Sequence, residues 1–594
     1  MRIIQLFFNL TLSYNNSNSS VRLSIYKHCS LKSEYRRIIL VNQRTGKVKV
    51  FALGGVGEVG KNMYIVEDNN KIFILDAGLM LPEDEMLGVD SVIPDITYLT
   101  ENRDRVKAIF LSHGHVDHIG ALAYVLKRIN VPVYGTKLTL GLASEALKKN
   151  RANIKQDFRI IDSNSVIDIG GTAISFFKVN HSIPDSIGLA IHTSQGPIVY
   201  TGDFKFDQTP VNNEYTEVGK IAALGEQGVL CLLSDSMNAE NPGVTPSEAT
   251  VGQNIYEVIS NAKGRVITAT FAMNIHRIQQ VFDAAQKCNR KVAISGNPLL
   301  KNVEIANKLG HLQMAEGILI QLDETKRYPD DELLILTTGN QGEPLGALNR
   351  MATKTHKQVK ISEGDTVIIA ATLTLGNEKA LSKTVDAIYR AGGHVVSGQS
   401  GVHVSGHASQ EELKLMLNLL KPTYFIPIHG EYRMQKVHSD LAEECGLSKE
   451  NIFIVEKGDV IEFSNGYAKK GGKVPSGQIL IDGLGIGDVG NIVLRDRKLL
   501  SQDGILIVVV TLDRKNHQIV SGPEIISRGF VYVRESEQLL QEANQNVTKV
   551  LNNCIDQKIN EWTFLKSVIR DSLSSLLFEK TKRRPMIMPI IMEV

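Results

Sequence analysis

Cysteine is scarce. The 594-residue chain has five (Cys29, Cys231, Cys288, Cys445, Cys554), all dispersed, with no Cys-x-x-Cys pair. An odd, scattered set excludes a disulfide framework and fits a reducing cytoplasm. These cysteines read as small buried apolar residues, so any metal has to be held by histidine and carboxylate. Long apolar runs are also missing: none approaches the roughly 20 residues that cross a bilayer, so no membrane partner is expected. Charge of one sign is lacking too. The 66 Lys and Arg nearly balance 64 Asp and Glu, for a formal net charge of +2. Bulk charge therefore does not advertise a polyanionic partner, and any basic channel has to be local. No internal repeat is present.

What is there is ordinary for a globular protein: 43% hydrophobic and 22% charged residues. At about 100 to 200 residues per domain, the length predicts three or so domains. The first 46 residues, with a short apolar stretch at Ile3–Leu12 and a Ser/Asn-rich run after it, read as a disordered extension or an upstream mis-assigned start. They lack the Ala-x-Ala site of a secretory signal.

Regular structure is expected from Lys47, where Lys47–Ala52 alternates as an edge strand does. It leads into Gly54-Gly55-Val56-Gly57-Glu58-Val59-Gly60. The acidic residue of a dinucleotide fingerprint is not clearly placed after it, so the loop reads as a tight turn that lets backbone approach an active site. Four short apolar strands end in His or Asp beside glycine or a turn. They are Lys71–Leu75 before Asp76, Val106–Leu111 before Ser112-His113, Pro197–Tyr200 before Thr201-Gly202-Asp203, and Tyr424–Ile428 before His429-Gly430-Glu431. Leu122, Val125, Leu126 and Ile129 recur at helical spacing, as do Leu413, Met416, Leu417 and Leu420. The second helix opens with a capping box, Ser409-x-x-Glu412, and stops before Pro422. Strands alternating with helices predict α/β layers.

Between about Ala222 and Gly401 no comparable His or Asp strand ending is read. Arg265–Thr270 followed by a helix over Ile278–Ala285 suggests a separate α/β domain inserted into the first. Ser464–Ser476, rich in Gly, Lys and Ser, reads as a linker. The remaining residues form a smaller α+β unit, with Ile505–Leu512 its clearest strand.

The strongest local signal is Ser112-His113-Gly114-His115-Val116-Asp117-His118. Residues two apart in an extended segment face one side, so His113 and His115 reach one ion together. After the turn, Asp117 and His118 point to a second spot. Three histidines and an aspartate within six residues are not explained by packing, because burying them unpaired costs several kcal/mol. Imidazole and carboxylate suit zinc, or manganese where carboxylates weigh more. Asp203 is a candidate bridge between two ions, and His181 and His429 are candidates to complete the two shells.

Asp76, the His113–His118 cluster, His181 and Asp203 resemble the four motifs of the metallo-β-lactamase superfamily. Asp235, His407 and His429 resemble the three further motifs of its β-CASP branch, which acts on nucleic acids. Ser234-Asp235-Ser236, Gly339-Asn340-Gln341-Gly342-Glu343-Pro344, His403-Val404-Ser405-Gly406-His407 and Lys580-Thr581-Lys582-Arg583-Arg584-Pro585-Met586-Ile587 resemble bacterial ribonuclease J specifically. The likeness spans about residues 48–594.

The resemblance implies an α/β architecture: a metallo-β-lactamase αββα sandwich at 47–221 and 402–463, a β-CASP domain at 222–401, a linker at 464–478, and a C-terminal oligomerisation domain at 479–594. It implies two Zn²⁺ per chain, with Mn²⁺ or Mg²⁺ as substitutes. His113, His115 and His181 would hold one; Asp117, His118 and His429 the other; Asp203 would bridge them, and Asp76 would orient a ligand imidazole. Metal-activated hydroxide would attack phosphorus, with Asp117 and His118 in the catalytic set. His407, paired with Asp235, would serve as general acid or phosphate clamp. His403, Ser405 and His407 would contact substrate. The activity implied is 5′-to-3′ exonucleolytic and endonucleolytic cleavage in RNA maturation and decay, preferring a 5′-monophosphate and leaving 5′-phosphate and 3′-hydroxyl ends. Implied partners are RNA and a second copy, as homodimer or homotetramer, or a ribonuclease J paralogue, in the cytoplasm. Lys582, Arg583 and Arg584 read as phosphate contacts or as a solvated basic turn.

Three places depart from the family pattern. Ser295-Gly296-Asn297-Pro298 stands for a typical Gly-Arg-Ser, Thr372–Asn377 for a Ser-rich stretch ending in Pro-Gly-Asn, and Met273 for a small Ser. They remove phosphate donors, which bears on the 5′-end preference. Lys47–Tyr64 and Phe204–Thr209 look more like the second paralogue of Gram-positive bacteria, which often serves as partner of the first. A mainly structural subunit with weak catalysis is thus the alternative. Small-molecule hydrolysis is disfavoured by the insert and the His407/His429 pair.

Overall fold

A computed structural model describes residues 46–149, 156–338, 346–371, 378–515, 518–532, 536–559 and 561–594. The N-terminal extension with Cys29, the Gly339–Pro344 motif and the Thr372–Asn377 loop lie outside the described residues. The described chain divides into two compact units: residues 46–80 with 94–478, and residues 81–93 with 479–594.

The first unit contains two facing sheets. One has eight strands in the order Tyr467–Lys473, Asp459–Ser464, Val48–Gly54, Met63–Asp68, Lys71–Leu75, Val106–Phe110, Val133–Gly135, Phe158–Ile160. The other has six: Tyr424–Ile428, Cys231–Asp235, Gly196–Tyr200, Ile187–Thr193, Thr172–Lys178, Val166–Ile169. Alternation along each strand assigns the layers. Val48, Val50, Tyr64, Val66, Phe73 and Leu75 pack against Ile174, Phe176, Leu189, Ile191, Ile198 and Tyr200 of the opposite sheet. Their neighbours Phe51, Leu53, Met63, Ile65, Ile72 and Ile74 face helical Leu122, Val125, Leu126 and Leu138. On the other outer face, Phe177, Ala190, Val199 and Phe425 meet Ile221, Leu413, Met416, Leu417 and Leu420. Both sheets are covered twice, giving αββα layers. That is why their central strands read as near-continuous apolar runs.

A third sheet is wholly parallel: Leu319–Ile320, Lys291–Ser295, Leu333–Thr337, Val266–Thr270, Thr366–Ala370, His394–Val396. Helices cover both its faces. Val292, Leu334 and Ile368 pack with Val251, Ile255 and Ile278 on one side, and Ile267, Ile335 and Val367 with Leu348, Met351 and Ile388 on the other. The helix Gln410–Leu420 does open with the Ser409/Glu412 capping box. The Glu412 carboxylate also accepts from the backbone N–H groups of Thr245 and Phe206, each at 2.7 Å.

In the second unit, Ile505–Leu512 lies between Ile519–Arg528 and Met586–Glu593. The helices Glu537–Asp556 and Trp562–Thr581 bury its Leu506, Val508, Val510 and Leu512. The segment 81–93 is bound there by Asp90 N–H to the Ile481 carbonyl (2.8 Å), Gly483 N–H to Asp90 Oδ2 (2.8 Å) and Arg497 Nη1 to the Leu87 carbonyl (2.9 Å). Among the described residues no helix is long and apolar enough to cross a membrane.

Four expectations need correction. Val48–Gly54 is an interior strand, paired on both sides by Met63–Asp68 and Asp459–Ser464. Its alternation was that of two buried faces. Residues 464–478 are not a free linker: Tyr467–Lys473 pairs antiparallel with Asp459–Ser464 across an Asn465-Gly466 turn with φ of 53° and 81°. Lysine and glycine suit an exposed edge strand. The strand Cys231–Asp235 sits inside the six-stranded sheet between Gly196–Tyr200 and Tyr424–Ile428, so a boundary at 222 falls too early. That strand ends in Asp235, a fifth strand end of the kind read as absent there.

Candidate metal centre

The site residues sit on strand ends. Lys71–Leu75 runs parallel to Val106–Phe110, and Gly196–Tyr200, Cys231–Asp235 and Tyr424–Ile428 run parallel to one another. Their carboxyl ends deliver Asp76, Ser112-His113, Asp203, Asp235 and His429 to one edge. Two of these, Asp76 and His429, have φ of 62° and 47°, a left-handed backbone uncommon outside glycine that clusters at functional sites. The glycine-rich loop holds the turn at His429: its N–H donates to the Gly55 carbonyl at 2.7 Å and that of Gly430 to the Glu58 carbonyl at 3.2 Å. Gly78 admits the cluster segment, since a Cβ there would lie 1.6 Å from the Asp117 carbonyl oxygen.

The first group is His113, His115, His181 and Asp203, with one ligand atom from each lying within 4.8 Å of the others. Ser112 Oγ donates to Asp76 Oδ2 at 2.7 Å and lies 2.9 Å from His113 Nδ1. The serine proton is used, so His113 Nδ1–H donates to it and Nε2 carries a lone pair. His181 Nδ1 donates to the Gly406 carbonyl at 2.7 Å, which leaves its Nε2 bare as well. These two nitrogens lie 3.1 and 3.0 Å from His115 Nδ1, and 3.5 and 3.6 Å from Asp203 Oδ2. Three ring nitrogens converge with at most one proton among them, on His115. Burial holds His115 down to about 4 and pushes His113 and His181 well below the usual imidazole value. Neutral imidazoles aimed at one point with a carboxylate beside them fit a cation.

The second group is Asp117, His118, Asp203 and His429. His118 Nδ1 donates to Asp76 Oδ2 at 2.7 Å, and its Nε2 faces Asp203 Oδ2 at 3.3 Å and Asp117 Oδ2 at 3.4 Å. Burial opposes charge on His118, but Asp203, Asp117 and Asp76 outweigh it and push its pKa up: this place attracts positive charge. His429 Nδ1 donates to Asp203 Oδ1 at 2.8 Å. Its buried Nε2, 3.5 Å from Asp117 Oδ2, has no hydrogen-bond partner among the described residues. An orphaned imidazole nitrogen beside two carboxylates fits a second cation. Asp203 belongs to both groups.

A third group joins Asp203, Asp235, His407 and His429. His407 Nδ1 lies 2.7 Å from Asp235 Oδ2. Burial alone would lower the His407 pKa, but Asp235 and then Asp203 raise it to about 9. Of the residues expected at substrate, Ser405 Oγ accepts from the His407 N–H at 3.2 Å, and His403 Nδ1 lies 2.9 Å from Arg277 Nη1.

Several residues here escaped the sequence reading. Asn62 Nδ2 lies 3.2 Å from Asp117 Oδ2 and 3.0 Å from His118 Nε2, and Tyr64 Oη lies 2.8 Å from Asn62 Oδ1. The Tyr200 hydroxyl donates to Asp76 Oδ2. Burial, then Asp76, pushes the Tyr200 phenol up, so it stays a donor. Asn62 follows the glycine-rich loop by two residues, and Tyr200 precedes Asp203 by three. Position was the only available signal for either. The basic turn is exposed; within its own unit Arg583 Nη1 donates to the Phe530 carbonyl at 2.9 Å, and Arg584 lies 4.4 Å from the Phe578 ring centroid.

Family models match along the chain: the metallo-beta-lactamase superfamily at 56–230, the ribonuclease J beta-CASP domain at 263–388, the Zn-dependent metallo-hydrolase RNA specificity domain at 399–455, and the ribonuclease J C-terminal domain at 492–594. The chain is 57% identical over 552 residues to ribonuclease J2 of Bacillus subtilis (strain 168), covering 93% of this chain and 100% of that one. It is 49% identical over 555 residues to ribonuclease J 2 of Staphylococcus epidermidis (strain ATCC 12228) and 48% identical over 555 residues to that of Staphylococcus aureus (strain NCTC 8325), with the same coverages. A solved structure of a protein of unknown function from Enterococcus faecalis V583 superposes with a TM-score of 0.50 at 18% identity, covering 70% of this chain and 100% of that one. At that identity the likeness concerns the fold alone.

Proposed function

This chain belongs to the ribonuclease J family, and from that premise we propose that it is a metal-dependent ribonuclease whose centre holds two zinc ions, with manganese or magnesium as substitutes. The carrying observation is that His113 Nε2 and His181 Nε2 face Asp203 from one side and His118 Nε2 from the other, with the orphaned His429 Nε2 beside Asp117. His113, His115 and His181 would hold one ion, Asp117, His118 and His429 the other, with Asp203 between them. Bound there, the ions supply hydroxide near neutral pH and neutralise phosphoryl charge.

The chain's own residues account for the rest. Asp76 orients His118 through Nδ1, and Ser112 relays the same carboxylate to His113. Asp235 holds His407 by Nδ1, so His407 Nε2 is the nitrogen free to give a proton to the leaving 3′ oxygen. Oxygen from water bonds to phosphorus, the bond from phosphorus to the 3′ oxygen breaks, and the products carry 5′-phosphate and 3′-hydroxyl ends. The ribose 2′-hydroxyl takes no part. Attack proceeds from a 5′ end and internally, in RNA maturation and decay in the cytoplasm. The C-terminal unit serves assembly with a second copy or a paralogue, as dimer or tetramer. Its strand Met586–Glu593 leaves Met588, Ile590 and Met592 exposed on one face, which supports that role.

The test uses the full chain with zinc or manganese and single-stranded RNAs bearing 5′-monophosphate, 5′-triphosphate or 5′-hydroxyl, beside His113→Ala. Metal-dependent cleavage that is fastest on the monophosphate and absent in the variant is expected. No cleavage by the unmutated chain overturns the enzyme reading. Equal rates on the three ends overturn the end preference alone.

A further inference from the structure

Arg277 has no exposed surface and stands in the first turn of the helix Ile275–Lys287. Its Nη2 donates to Glu248 Oε1 and Oε2 at 2.6 and 3.0 Å, and its Nε to Oε1 at 3.2 Å. Its Nη1 points the other way, to the carbonyls of Ala370 (3.2 Å) and Val402 (3.3 Å) and to His403 Nδ1 at 2.9 Å. A guanidinium has five N–H donors and no acceptor, so His403 Nδ1 must accept. A neutral imidazole that accepts at Nδ1 carries its proton on Nε2.

Two further observations agree. The nearby Ala370 carbonyl already accepts from Arg277 and from Thr270 Oγ1, each at 3.2 Å. Burial and the guanidinium hold His403 down to about 3, against that carbonyl, so the ring stays neutral. The exposed Phe271 ring lies 6.4 Å from the His403 ring. It offers a base-stacking face beside the imidazole.

We propose that Arg277 is a positioning residue: it fixes His403 as the Nε2–H tautomer, so that the ring meets an RNA phosphate as a neutral donor rather than as a lone pair. Arg277 itself touches no substrate. The inference rests on the ribonuclease reading above. It also gives a reason for a buried ion pair in the inserted domain, where packing alone favours apolar replacement.

The experiment compares Arg277→Lys, and Arg277→Met combined with Glu248→Met, with the unmutated full chain, each also in a His403→Ala background. The paired change removes charge and donor together, so no buried carboxylate is stranded. KM for a single-stranded 5′-monophosphate RNA is expected to rise roughly tenfold, with kcat kept within about twofold, as befits one lost hydrogen bond to a charged group. In the His403→Ala background neither change should raise KM further. Histidine ¹⁵N NMR, with the His403 signal assigned by its loss in His403→Ala, should show a bare Nδ1 and a protonated Nε2, and a mixed ring once Arg277 is replaced. An unchanged KM, a KM effect that persists without His403, or a proton on Nδ1 in the unmutated chain overturns the assignment. If the unmutated chain cuts no RNA, the ribonuclease reading fails separately, and the ring's protonation still decides what Arg277 does.

Discussion

Asp76 Oδ2 lies 2.7 Å from His118 Nδ1 and 2.7 Å from Ser112 Oγ, so one carboxylate sets the imidazole of one half-site and, through the serine, that of the other. Asp76→Asn removes the anionic acceptor while keeping the shape. Metal affinity is expected to fall about 10- to 100-fold, with activity following. Competition with a chromogenic chelator measures it, and an affinity within twofold of the unmutated chain would count against the relay.

Stripping the metal should cost stability as well as activity, because the bare nitrogens of His113, His181 and His429 then face carboxylates and one another without a cation. Restoring zinc at a hundredfold excess over its Kd adds about 2.7 kcal/mol to the folded state. At roughly 2–4 °C per kcal/mol for a large domain, the midpoint should rise by about 5–10 °C. Differential scanning calorimetry with and without chelator reads it, with His113→Ala as the flat control.

His407→Asn and Asp235→Asn should each lower kcat by about 10²- to 10⁴-fold with KM little changed, as expected for loss of a proton donor in the transition state. The double variant should be no worse than the poorer single one, because the two residues act as one unit through the 2.7 Å bond. Additive losses would separate them.

His438 gives a pH prediction away from the metal ligands. It has no exposed surface, lies 3.0 Å from Ser236 Oγ and 4.7 Å from the Phe425 ring, and burial pushes it from 6.5 to about 3. Between those values the unfolded chain takes a proton that the folded chain refuses. Stability therefore does not depend on this group above pH 6.5, and it falls as pH drops from 6.5 toward 3 by up to about 1.4 kcal/mol per pH unit. His438→Gln should flatten the acid limb relative to the unmutated chain in urea titrations at several pH values.

Glu412→Ala strands the buried N–H groups of Ser409, Thr245 and Phe206. A loss of about 3 kcal/mol or more is expected, several times that of an ordinary helix cap at about 1 kcal/mol. Glu412→Gln should lie between, since its amide oxygen still accepts.

Local chemistry is what the sequence displayed well. The strand ends at Asp76, His113, Asp203 and His429 and the capping box at Ser409 were legible because a turn or cap needs particular residue types within a few positions. The tertiary partners were not. Tyr200 and Asn62 enter the site through pairings 124 and 55 residues apart, to Asp76 and Asp117, and nothing at their own positions marks them. Cys231–Asp235 misled because its single polar ending lay where the inserted domain was expected to have begun. Tyr467–Lys473 misled because an exposed edge strand has the composition of a linker.

The segment 81–93 has a consequence for how the chain matures. Arg497 and Leu87, joined at 2.9 Å, stand 410 residues apart. At about 5–20 residues per second, a ribosome needs roughly 20–80 s between making one and the other. For that interval Leu87 and Asp90 have emerged without the groups that receive them, so the second unit closes only after the last part of the chain is synthesised.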